Sequence, residues 1–253
     1  MLRGEAMVSM SLVKGLWQIA IILKVVLVAV LIARRMWRRF PVFTAYASTS
    51  LAVSLLLFTL RGTPQTYIYV FWCGEVAAVV LSFSVVYEIF RDLLGSCPAL
   101  NRVASFLFWG FLATFVVLGC LVIYVKFPHV PSQVTASLLI VEEAVRLVEV
   151  GLLVFLFLFA SAFGLHWRKS LFGIAVGLAL YAVVELTGEA MVAQFGLVIG
   201  LAFNMARMLS INCSLLLWIG YMLVPERVAS VAELPKPAQL EQWNQAVMEL
   251  INQ

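Results

Sequence analysis

Seven apolar stretches, each close to the ~20 residues that a helix needs to cross a bilayer, follow one another along this chain. Lipid offers no partner to a backbone N–H or C=O, so such stretches can be satisfied only as helices. They lie at about residues 12–33, 41–60, 66–90, 103–125, 134–164, 171–192 and 197–224. The sequence therefore predicts an all-α, polytopic transmembrane seven-helix bundle. Residues 1–225 form the bundle, and residues 226–253 form a cytoplasmic tail with a short amphipathic helix. Composition agrees: 64% of the 253 residues are hydrophobic and only 12% are charged. A soluble domain carries about twice that share of charge.

The first stretch resembles a signal peptide only superficially. It is long, shows no clear cleavage site and stops at Arg34, Arg35, Arg38 and Arg39, as a stop-transfer segment does. Lysine and arginine counts then set the orientation. The connections after the first, third and fifth stretches, with the tail, hold ten such residues, and the other side holds four. The predicted amino terminus is outside and the tail inside, in a bacterial inner membrane. The net charge of +4 thus reports topology and does not point to nucleic-acid binding.

Ionisable side chains inside the spans are the functional suspects. At about 100° per residue, Glu142, Arg146 and Glu149 of the fifth stretch fall within about 60° of one another. Glu75, Glu185 and Arg207 lie at similar depth on the third, sixth and seventh stretches, with Glu189 one turn from Glu185 and Asn204 one turn from Arg207. Lys24 is near mid-membrane. The expected ligand site is therefore Glu75, Arg146, Glu149, Glu185 and Arg207, supported by Lys24, Glu142, Glu189 and Asn204. Six glutamates, counting Glu143, face three cations in this half. That excess calls for protonated glutamates, water or a bound cation. Three arrangements are open: salt bridges fixing helix register, a water-filled binding cavity, and a proton or ion pathway. Glu88, Arg91 and Asp92, at helical spacing, read as a solvated ion-pair cluster near the cytoplasmic end. Gly173 and Gly177 read as a close helix contact within the chain.

Absences narrow the field. A retinal protein needs a lysine in its last span, and this one has none. His129 and His166 are the only histidines and lie in connections on opposite sides, which disfavours a zinc or haem site. The cysteines Cys73, Cys97, Cys120 and Cys213 show no paired spacing. No catalytic residue, metal or cofactor is expected. The tail stripe Leu240, Trp243, Val247 and Leu250 lacks basic residues, so it suits docking on the bundle or on a cytoplasmic partner better than on lipid.

With Phe40-Pro41, Tyr87-Glu88 and Asn204-x-x-Arg207, the chain resembles uncharacterised bacterial seven-helix integral membrane proteins. The resemblance implies the helix count and no activity. The expected function is binding or sensing of a small ligand or cation in an outward-facing polar pocket, with a transporter or proton-coupled carrier as the alternative and a membrane-embedded enzyme third. A continuous polar path or broken helix would favour transport, and a pocket closed at the cytoplasmic end would favour binding.

Overall fold

A computed structural model describes residues 2–94, 134–162, 167–195 and 200–224, with Gly164 and scattered positions between 106 and 124. The helices are α1 (Leu2–Ala33), α2 (Pro41–Thr59), α3 (Pro64–Leu94), α4 (Val134–Ala162), α5 (Lys169–Phe195) and α6 (Gly200–Leu223). Among the described residues there is no strand, and six helices are long and apolar enough to cross a membrane. The expected fourth span corresponds to residues 106–124, where every described position is helical. The expected tail helix lies outside the described residues.

Local chemistry explains the boundaries. Pro41 and Pro64 open α2 and α3, where a missing N–H costs nothing. Past α4, Gly164 takes φ 59 and its N–H bonds the Ser161 carbonyl at 3.2 Å. The turn after α1 has no such glycine. Arg35 itself adopts φ 54 there, ahead of a short 3-10 turn over Met36–Arg38. An arginine in this region is strained by about 1–2 kcal/mol.

The helices close into a ring. α1 packs on α2 and α6, α2 on α3, α3 on α4, α4 on α5, and α5 on α6, with α3 also reaching α5. Tightest is the α5–α6 seam, where Gly173 and Gly177 face the rings of Tyr221 and Trp218. Ser214 donates to the Gly177 carbonyl at 2.8 Å and Trp218 Nε1 to the Ile174 carbonyl at 3.2 Å. The expected glycine contact is thus made within the chain. Of the described positions between 106 and 124, Phe108 meets Tyr87 and Phe90, and Phe111 stacks on Phe155 with ring centres 3.9 Å apart.

The two ends differ. The basic end, where α1 stops, is tied by Arg34 Nη1 to the Met222 carbonyl at 3.1 Å and by Arg168 to Asp92 at 3.6 Å. The dry core sits in this half: Leu27, Leu31, Phe43, Phe90, Leu156 and Ile174 are all fully buried. Here the structure revises the reading of Glu88. It is 4% exposed and accepts the N–H groups of Val42 and Phe43 at 3.0 and 2.9 Å. Phe40, at the helix start, offers no side-chain acceptor, so a carboxylate from α3 caps α2 in its place.

Candidate functional site

The half of the ring away from the basic end is polar inside. Glu75 enters from α3, Arg146 and Glu149 from α4, Glu185 from α5 and Arg207 from α6, and the five side chains meet. Arg146 Nη1 donates to Glu149 at 2.9 Å. Its other nitrogens lie 3.7 Å from Glu75 and 3.8 Å from Glu185. Arg207 Nε is 2.6 Å from Glu185, and its Nη2 is 3.8 Å from Glu75. Both Glu75 and Glu185 therefore bridge both guanidinium groups, closing a ring of alternating charge across four helices. Glu149 and Glu185 are almost fully buried, whereas the Glu75 side chain is 24% exposed. The Arg146 guanidinium also lies 5.3 Å from the centre of the Tyr181 ring. The Tyr181 hydroxyl interacts with Glu185 and Arg207.

Lys24 approaches from α1. Its ammonium donates to Ser54 Oγ at 2.8 Å and lies 3.5 Å from the Ser50 carbonyl of α2. Among the described residues no carboxylate comes within 4 Å of it. Between Lys24 and the charge ring is a cavity of about 150 Å³. Lys24, Tyr46, Ser50, Glu75, Arg146 and Tyr181 are among its lining residues. At roughly 30 Å³ per water, it has room for about five waters or one small polar group.

The supporting residues divide. Lys24 joins the site. Asn204 is half-buried one turn before Arg207 and makes no hydrogen bond among the described residues. Glu189 is half-buried one turn beyond Glu185, and the side chain of Glu142 lies outside the described residues. Within the ring and cavity three carboxylates, Glu75, Glu149 and Glu185, meet three cations, Lys24, Arg146 and Arg207. The charges of these six groups balance among themselves.

Sequence reasoning missed Tyr46 and the roles of Ser50 and Ser54. These three recur every four residues, which on a helix makes one stripe. That spacing was the available signal, masked by the general abundance of small residues in α2. Among the described residues, no three histidine, cysteine or acidic side chains are placed to hold a metal ion. No family model matches the chain, and no curated protein or solved structure matches it.

Proposed function

We propose that this is a bacterial inner-membrane protein that binds a small polar ligand in the cavity between Lys24 and Glu75, which opens toward the outside. The amino terminus is external and the tail cytoplasmic, in line with the ten-to-four distribution of basic residues. The observation that carries the reading is the asymmetry of the interior. A polar cavity fills one half, and buried aromatic and aliphatic side chains fill the half toward the basic end. Each of the six helices runs unbroken through the described residues. Among the described residues, Leu27, Leu215 and Trp218 line the cavity on the side of the basic end, which favours binding over transport.

The charges indicate the ligand class. Adding a net charge to a balanced, half-buried set carries a desolvation cost with no compensating partner. A zwitterion adds none. Its anionic group suits Lys24, which has serine partners and, among the described residues, no carboxylate within 4 Å. Its cationic group suits Glu75, which has no ion pair in the ring shorter than 3.7 Å. If binding is a sensing event, the tail supplies a contact for a cytoplasmic partner.

Titration calorimetry of the detergent-purified protein with glycerophosphoethanolamine, a phosphodiester with no net charge at neutral pH, tests this, with ethanolamine and dimethyl phosphate as singly functional controls. The zwitterion should bind at least tenfold more tightly than either control. Lys24→Met and Glu75→Gln should each weaken it by a similar factor. Unchanged binding in both variants, or saturable flux of the zwitterion through proteoliposomes, would overturn the reading.

A further inference from the structure

The cavity has a side wall, and that wall has a second face. On the outer surface of the bundle a cleft of about 170 Å³ runs between α3 and α4. Trp72, Val76, Val79, Val80 and Val145 line it, and its remaining lining residues are Glu75 and Arg146. The same two side chains line the interior cavity. Val76 and Val80 are 64% and 59% exposed, so the cleft faces the surroundings of the helices, which for a spanning helix is lipid.

Among the described residues, the α3–α4 seam is sealed along only part of its length. Toward the basic end Phe108 covers Tyr87 and Phe90, and Phe111 covers Phe155. Phe155 lies about 13 Å along α4 from Arg146, at 1.5 Å per residue. The cleft opens beyond that aromatic seal, at the level of the charges. Two other external grooves differ. One, between α5 and α6 at Val183, Gly188 and Phe203, and one along α6 at Leu216 and Tyr221, are lined without any charged side chain. Acyl chains packing against a membrane protein need nothing more than such grooves offer. The α3–α4 cleft alone among these three joins an apolar trough to charged groups.

We infer that the ligand is a lipid-like amphiphile with a zwitterionic head, taken sideways from the bilayer through the α3–α4 cleft. Its head occupies the cavity between Lys24 and Glu75, and its chain lies against Val76, Val79 and Val80. The inference rests on the cavity being a ligand site and adds the source and class of the ligand. Continuity selects the occupant: a molecule filling both spaces must be polar at one end and apolar at the other. Glu75 is placed to act as the gate between them. Its partial exposure and its 3.7 and 3.8 Å contacts make it the ring member most easily turned aside.

The test compares a soluble head with the whole amphiphile. Purified protein would be titrated with glycerophosphoethanolamine and with lysophosphatidylethanolamine below its micellar concentration, and retained lipid counted by native mass spectrometry. The lysolipid should bind at least tenfold more tightly than the head alone, and more tightly than anionic lysophosphatidylglycerol. Val80→Trp and Val76→Phe fill the cleft without touching the cavity. Each should reduce lysolipid affinity to that of the head and leave head binding unchanged, while Val183→Trp in the α5–α6 groove should change neither. Melting curves of the ligand-free variants identify any that are misfolded, and the second cleft variant then carries the comparison. Equal affinity for head and lysolipid would overturn the lateral route and leave the cavity reading standing. Full lysolipid binding in a folded cleft-filled variant would also overturn it. Failure of both ligands to bind would end both readings.

Discussion

Arg146 and Glu75 take part in the same charge ring but are held in it differently. Arg146 is buried and carries the close pair to Glu149, itself almost wholly inaccessible. Arg146→Met strands that carboxylate and should cost about 3–5 kcal/mol, as removal of one partner from a buried pair does. Glu75 is partly exposed and paired only at 3.7–3.8 Å. Glu75→Gln should cost about 1 kcal/mol or less. Denaturant unfolding in detergent would measure both, and equal losses would mean that the ring does not distinguish its members. Glu88 makes a separate prediction. Glu88→Ala removes two acceptors from the start of α2, each worth about 1.5–3 kcal/mol when the acceptor is charged. Glu88→Gln, which keeps one acceptor oxygen, should fall between alanine and the native residue. The sequence made the ring members legible because a charge inside an apolar run has few explanations. It could not reveal Glu88's role. A carboxylate near a helix end reads as solvated until the neighbouring helix start, bare of its own cap, is seen beside it.

Among the helices, α5 and α6 depend most on close backbone approach. A methyl group on Gly177 would run into the indole of Trp218. That ring cannot swing away freely, because its N–H bonds the Ile174 carbonyl and Phe43 meets it edge-on at 5.3 Å. Gly177→Ala should therefore lower stability by about 1–3 kcal/mol. Gly220 lies on the same helix as Trp218, with open space where a Cβ would be. Gly220→Ala should be neutral or should stabilise by up to about 1 kcal/mol through helix propensity. Thermal melts of the two variants side by side would separate packing from propensity. Helix existence was readable here because hydropathy and length alone demand it. Neighbour relations were not. Sequence order suggests that consecutive helices touch, but the closing contact of α1 with α6 depends on packing between distant parts of the chain. The intervening segment at 106–124 is apolar on every side, so no stripe in it predicted that Phe108 would meet Tyr87 and Phe90.

At the level of the molecule, orientation is the property most easily checked. With the exposed Cys73, Cys120 and Cys213, and also Cys97, replaced, a cysteine at Gln65 should react with an impermeant maleimide in intact cells. A cysteine at Trp37 should react only after the membrane is opened. The reverse pattern would invert the bundle and turn the cavity toward the cytoplasm. Whichever way it faces, α6 has a mechanical consequence. It carries Arg207 in the charge ring and, fifteen residues later, the Met222 carbonyl that Arg34 holds at the far end. The two points are about 22 Å apart on one uninterrupted helix, and a rod of that length swings as a lever. A tilt of only a few degrees at the charged end would displace the other attachment by an ångström or more, enough to loosen or tighten the grip of Arg34. The same rod that closes the ring thereby couples its two ends, and it does so without any polar group having to cross the dry half between them.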